Sequence, residues 1–201
     1  MIIGLTGGIG SGKSTIAQAL AQRGYAVYEC DREAKRIIVE DAAVRRAIID
    51  LLGTEAFTAS PQHPFTGVYN TAYVAQRVFA EPALRAQLNA IVHPAVKDDI
   101  CQRANPATDG EVLFIESAIL YEAGLNALCD RVVVIDAPED IRIARTIDRD
   151  YDGQATSENI NKVRARISAQ AQHTGDLLLI NDGEVPIPDL VDKITLWMWK
   201  N

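Results

Sequence analysis

Short apolar runs rich in β-branched residues alternate along this chain with longer stretches whose apolar positions recur at helical spacing. Ile2 to Thr6, Tyr25 to Cys30, Val112 to Ile115, Arg131 to Asp136 and Leu177 to Asn181 read as strands. Because helical stretches separate them, the expected fold class is α/β: a five-stranded parallel sheet covered by helices on both faces. Pro186 and Pro188 suit the first turn of a closing helix running through Trp197.

The strands are unevenly spaced. About eighty residues separate Cys30 from Val112, far more than one crossover helix requires. Helical patterns near Ala42 to Leu52, Thr71 to Phe79, Pro82 to Ile91 and Pro94 to Arg103 fill the interval, split by a turn-rich stretch from Gly53 to Gly67 that holds Pro61 and Pro64. The expected organisation is a core of residues 1–30 and 106–201 with a helical substrate-binding insert over 31–105. Tyr151 to Thr156, with Gly153, is a soft connection between two helical patterns, and a short lid over about 148–157 is expected there.

Composition narrows the partners. At 201 residues the chain is long enough to bury its own core, and its 48% hydrophobic and 23% charged content is ordinary for a soluble protein. A formal net charge of −7 argues against a large nucleic-acid or membrane footprint, so an anionic ligand would need locally concentrated basic residues. The first residues carry no secretory pattern, and a cytoplasmic monomer is expected. Cys30, Cys101 and Cys129 are too scattered to suggest a disulfide framework or a zinc site.

The strongest chemical signal is Gly7-Gly8-Ile9-Gly10-Ser11-Gly12-Lys13-Ser14, which satisfies G-x-x-x-x-G-K-[ST] directly after the first strand and opens a helical pattern ending before Gly24. Glycines let backbone N–H groups of Gly8, Ile9, Gly10, Ser11, Gly12 and Thr15 converge on phosphates, and the helix N-terminus adds partial positive charge. Lys13 would reach the β and γ phosphates of ATP, and the Ser14 hydroxyl would complete a Mg²⁺ shell. Such a loop fits a small-molecule kinase, a GTPase switch or a motor ATPase. The one Asn-Lys pair, Asn161-Lys162, continues into Val163-Arg164 rather than the guanine-reading Asn-Lys-x-Asp. Leu113 to Glu116 ends in one acid followed by Ser117, where motor ATPases carry paired acids.

Asp31 follows the second strand, expected to neighbour the first, and the carboxyl edge of such a sheet faces the ligand crevice. It suits two roles: a base orienting an attacking hydroxyl, or the N-cap of a helix starting at Arg32. Arg142, Arg145 and Arg149 share one helical face, which suits either phosphate neutralisation or a solvated ion-pair face with Glu139, Asp148 and Asp150.

Leu5 to Thr15, Asp31 with Ala34-Lys35, His93-Pro94 and Leu120-Tyr121-Glu122 together resemble the dephospho-coenzyme A kinase family across nearly the whole chain. The resemblance implies ATP and dephospho-coenzyme A as substrates, and Asp31 as the base that activates the acceptor's ribose 3′-hydroxyl. It implies a coenzyme A-binding role for the insert. Lys35 stands where the family often shows Arg, and His93 is either a substrate contact or a structural turn. Arg77 and Lys97 are candidates for the acceptor's pyrophosphate, with surface solvation as their alternative. Glu122, also a candidate substrate contact, closes a pattern in which Ala118 replaces the usual Pro, and either Glu122 or Glu116 would hold a Mg²⁺-bound water or else cap a helix or form a salt bridge.

The resemblance also sets Arg145 and Arg149 beside the lid, with Arg149 favoured for the transferring phosphoryl group and Arg142 given the lesser part. Ser168-Ala169-Gln170 and Asp176 to Asp182 match the family's closing region, but the link Ala171 to Gly175 is shorter and lacks its usual basic residues. Asn181 would contact adenine or form a turn. Two other readings stay open: a nucleoside or nucleotide kinase with a smaller acceptor, and a slowly hydrolysing switch that binds a protein.

Overall fold

The computed structural model of the chain describes residues 1–60, 63–104 and 111–200. Pro61, one of the expected turn prolines, lies outside the described residues. The chain divides into two compact units, Met1–Glu29 with Pro106–Asn201, and Cys30–Asn105.

The first unit is built on β1 (Ile2–Thr6), β2 (Ala26–Glu29), β5 (Leu113–Glu116), β6 (Arg131–Asp136) and β7 (Leu177–Ile180). All five pair in parallel in the order β2-β5-β1-β6-β7. β2 was expected beside β1. It is instead an edge strand against β5, because the long excursion after β2 lets β5 enter the sheet between them.

Alternation along the strands sends Ile3, Leu5, Phe114, Val133, Ile135 and Leu179 to one face, where they pack on α1 (Lys13–Gln22) and α8 (Ile187–Met198). Ile16 and Leu20 from α1 and Leu190 and Ile194 from α8 close this core, each at most 1% exposed. Full burial of each such side chain contributes roughly 1.5–3 kcal/mol. The opposite face is covered unevenly. A Cβ on Gly4 would sit 2.7 Å from Leu120 Cδ2, so the segment after β5 lies tight against β1. The expected five-stranded parallel sheet flanked by helices is what the chain forms; on its edge strand β7, Leu178 and Ile180 are 59% and 45% exposed.

Helices α6 (Glu139–Tyr151) and α7 (Ser157–Ser168) form a hairpin held together by Ile143, Ile147, Val163 and Ile167. In the connection between them, Gly153 N donates to Ile147 O and Gln154 N to Tyr151 O. Asp152 and Gly153 take left-handed conformations, and the Thr156 hydroxyl caps α7 by accepting from Asn159 N.

The second unit contains α2 (Cys30–Glu40), α3 (Ala42–Leu52), α4 (Thr71–Ala80), α5 (Pro82–Arg103) and the antiparallel pair β3 (Phe57–Ser60) and β4 (His63–Tyr69). Two expectations change. Within the turn-rich stretch from Gly53 to Gly67, β3 pairs antiparallel with β4, and the Phe57–Tyr69 ring contact at 5.7 Å stabilises the pair. Gly67, at φ 66°, allows the backbones to approach where a Cβ would lie 2.8 Å from Thr58 O.

The helical patterns on either side of Pro94 join into one helix of 22 residues. Pro94 sits on its exposed side, where water can satisfy the carbonyl it leaves unpaired, while Val92, Val96 and Ile100 anchor both halves in the core.

Glu33, 5% exposed, gathers Arg36 (2.7 Å), Arg103 (2.6 Å) and Arg32 (3.2 Å), and Arg36 and Arg103 also reach Asp99. Burial alone would raise the Glu33 carboxyl, but the hydrogen bonds from Arg36 and Arg32 and the charge of Arg103 outweigh it and hold it below its ordinary value of 4.5. A depressed carboxylate stabilises the fold above its ordinary value and loses that contribution as pH falls through its folded value. Glu33→Gln is expected to cost about 2–3 kcal/mol at neutral pH, at the low end for a broken buried pair because the arginines are part-exposed. Urea titrations should show the gap from the unsubstituted chain closing as pH falls from about 7 to about 3. A gap that stays constant would remove the charge from this account.

Candidate active site

The loop Gly7 to Lys13 bridges the carboxyl end of β1 to the N-terminus of α1, which fixes its position at the sheet's ligand-facing edge. Gly10 and Gly12 hold φ of 76° and 87°, a region costly for residues with a Cβ. They also lie close to neighbours. A Cβ at Gly10 would meet Arg142 O at 2.3 Å, and one at Gly12 would meet Asn181 Nδ2 at 2.2 Å. At the start of α1 the amides of Lys13 and Ser14 have no intrahelical acceptor, and they mark an anion site at the helix's positive end.

Glu116, the last residue of β5 and 6% exposed, points its carboxylate at this helix start. Its Oε1 lies 3.4 Å from Lys13 Nζ and accepts from Ser14 Oγ at 3.4 Å. A hydroxyl and a carboxylate side by side next to an anion cradle form an oxygen set that fits Mg²⁺, which takes few protein ligands and completes its shell with phosphate oxygens and water. Among the described residues, no three His, Cys, Asp or Glu gather as a metal cage. Of the two acids considered for this place, Glu122 lies elsewhere and accepts from His173 Nε2 at 3.0 Å, with the His173 ring stacked on Tyr121.

The loop is braced from outside. Arg145 Nη1 donates to the carbonyls of Gly10 and Ser11, each at 3.4 Å, and to Asn181 O at 3.0 Å. Asn181, 2% exposed, donates from Nδ2 to Ser11 O at 2.9 Å and accepts from Arg145 Nη2 through Oδ1. With both ends of its amide engaged, Asn181 braces the loop. Ile9, expected among the phosphate-facing residues, directs its N–H to Gln170 Oε1 at 2.7 Å and its carbonyl to Arg142 Nε at 2.9 Å. Arg142, given the lesser part from sequence, thus touches the loop directly. Beside it opens a cavity of about 510 Å³ lined by Thr6, Gly7, Asp136, Arg142, Glu122 and His173 among others.

Arg149 lies two turns past Arg142 and is 61% exposed, paired with Asp150 at 2.6 Å. Asp150 also takes Arg166, and the hydrogen bonds from Arg149 and Arg166 hold its carboxyl at about 2. Asp150 is one of the three acids named for this face, with Glu139 and Asp148. Glu139 pairs with Arg164 across the helical hairpin.

The remaining candidates belong to the second unit. Asp31 is exposed and lies in the first turn of α2, which begins at Cys30. The N-cap alternative therefore fails, since a cap precedes the first helical residue. Lys35 stands one turn on, also exposed. Arg77 lies over the Tyr73 ring and donates to its hydroxyl at 3.2 Å. His93 and Lys97 are one turn apart on α5, and burial followed by the Lys97 charge lowers the imidazole below its usual 6.5. His93 is therefore neutral at neutral pH and offers a hydrogen bond rather than a charge.

A parallel sheet with order β2-β5-β1-β6-β7, a complete phosphate loop after its central strand and a flanking acid at the next strand's end define a P-loop kinase. A dephospho-CoA kinase family model matches residues 1–186. The chain is 35% identical over 195 residues to a dephospho-CoA kinase of Bacteroides fragilis, covering 96% of this chain and 90% of that one. Among solved structures, TT1252 from Thermus thermophilus superposes with a TM-score of 0.77 at 27% identity, covering 100% of this chain and 98% of that one. A dephospho-CoA kinase from Campylobacter jejuni shares the fold, with a TM-score of 0.63 at 17% identity over 98% and 96% of the two chains. The chain belongs to the dephospho-CoA kinase family. It is a kinase of coenzyme A biosynthesis, acting by ATP-dependent phosphorylation of dephospho-CoA.

Proposed function

We propose that the chain transfers the γ phosphoryl group of Mg²⁺-bound ATP to the ribose 3′-hydroxyl of dephospho-CoA, with Asp31 accepting the hydroxyl proton. The observation that carries this reading is the junction of Lys13, Ser14 and Glu116 at the start of α1. Ser14 Oγ and Glu116 would hold Mg²⁺, which neutralises charge on the β and γ oxygens when bound. Lys13 neutralises the same oxygens, and the loop amides orient the phosphates.

The unit Cys30–Asn105 takes the acceptor, with Lys35, Arg77 and Lys97 supplying positive charge for its pyrophosphate and His93 a neutral hydrogen bond. Glu122, which lines the cavity beside the loop, is a further contact for the acceptor. The enzyme works in the cytoplasm as a monomer on small-molecule substrates, without nucleic acid; among the described residues no helix is long and apolar enough to cross a membrane. Mass spectrometry with ³¹P NMR of the product tests the regiochemistry: the reading expects a 3′-phosphomonoester, and a 2′-phosphate or a phosphorylated pantetheine would overturn it.

The end of the hairpin, residues 148–157, acts as the lid. Closing it would take Arg149 from Asp150 to the phosphates, so Arg149→Ala should lower kcat by more than it raises the KM for ATP. Lys at this position should rescue only part of the loss, because an ammonium lacks the two-pronged geometry. If the Arg149–Asp150–Arg166 group is only a surface network, Arg149→Ala shifts stability by under about 1 kcal/mol and leaves kcat unchanged. That outcome removes Arg149 from the mechanism.

A further inference from the structure

Ile9, near the middle of the phosphate loop, is gripped by the α6–α7 hairpin through all three of its groups. Its side chain packs against the cluster of Ile143, Ile147, Val163 and Ile167 that joins the two helices. Its N–H donates to Gln170 Oε1 at 2.7 Å, two residues past the end of α7. Its carbonyl accepts from Arg142 Nε at 2.9 Å, within the first turn of α6. The two gripping side chains are joined, since Arg142 Nη2 donates to the same Gln170 oxygen at 3.2 Å. Arg142 Nη1 reaches Asp136 Oδ1 at 3.4 Å at the end of β6, which ties the grip to the rigid sheet. The fit leaves no slack: a Cβ on Gly8 would lie 2.1 Å from Arg142 Nη2 and 3.0 Å from Gln170 Oε1.

We propose that Arg142 and Gln170 are positioning residues that hold the phosphate loop in its ligand-ready shape by clamping Ile9. The proposal rests on the loop binding ATP as set out above. Neither side chain is assigned a contact with phosphate. Arg142 is only 15% exposed, and the N–H of Ile9 is already committed to Gln170. Without the clamp the middle of the loop samples other conformations and must be ordered by each incoming nucleotide. That ordering cost falls equally on the ground state and the transition state, so it appears in KM and not in kcat.

Steady-state kinetics of Gln170→Leu and Arg142→Met, with ADP affinity by calorimetry, test this directly. Each variant should raise the KM for ATP and the Kd for ADP about tenfold, the scale of one or two lost hydrogen bonds. The KM for the acceptor and kcat should stay within about twofold of the unsubstituted chain. The double variant should be less impaired than the product of the singles, because both act on one residue. Arg142→Lys, able to donate to Ile9 O but not to three acceptors together, should fall between.

A purely structural role predicts the opposite split, with less folded enzyme, lower kcat and an unchanged KM, and that result overturns the clamp. Fully multiplicative effects of the two substitutions overturn it as well. If Gln170→Leu fails to fold, Arg142→Met is judged by the same split. Failure of the unsubstituted chain to bind ADP at all would strike the ATP-binding reading instead, so the two failures are distinguishable.

Discussion

Lys13→Ala should leave a folded protein with phosphoryl transfer reduced by at least about a thousandfold, the upper range for removing one charge-stabilising donor from a preorganised site. Lys13 is the first residue of α1, a position where Ala is well tolerated, so helix content and thermal midpoint should change little. Its ammonium lies 3.4 Å from Glu116, and its removal leaves that carboxylate facing the phosphates with less compensation. Arg145 is bonded to the carbonyls of Gly10, Ser11 and Asn181 and is not free to substitute. Near-normal turnover by Lys13→Ala would remove the loop from the chemistry.

Asp31→Asn should lower kcat by about 10²- to 10⁴-fold, the usual cost of losing a general base, with the Kd for ATP little changed. The substitution is nearly isosteric at an exposed first-turn position, so stability should fall by no more than the loss of a favourable helix-dipole contact, roughly 0.3–1 kcal/mol. A kcat that survives while stability falls would leave Asp31 as a helix-terminal charge with no part in the reaction. Rapid-quench measurements separate the chemical step from product release and so read the base directly.

The sequence carried the sheet and the loop because both rest on local rules. Five β-rich runs at βα spacing mark the strands, and the Gly-rich turn announces an anion site whatever surrounds it. Strand order was less legible: nothing in β2 itself says that β5 will insert beside β1, since that pairing is made across the whole second unit. The β3–β4 pairing was hidden by Gly53, Pro61, Pro64 and Gly67, which read as a turn cluster, and Pro94 concealed the continuity of α5. In both places tertiary packing overrides the local breaker.

The braces of the loop were the least visible part of the site. Arg142 and Arg145 are separated by one helical turn, and that spacing placed them on one face. It did not say that this face meets the loop carbonyls while Arg149 turns to Asp150. Gln170 has no local signature for its contact with Ile9, 161 residues away in sequence. A strand-end Asn suits both a turn and an adenine contact, and only the two amide bonds of Asn181 reveal the brace.

The most direct test of the central claim is a coupled ADP-release assay with Mg²⁺-ATP, run with dephospho-CoA, with simple nucleosides and with no acceptor. The account predicts turnover that requires dephospho-CoA, vanishes in Lys13→Ala and yields coenzyme A in equal amount to ADP. ADP release independent of any acceptor, or equal turnover with a simple nucleoside, would contradict it.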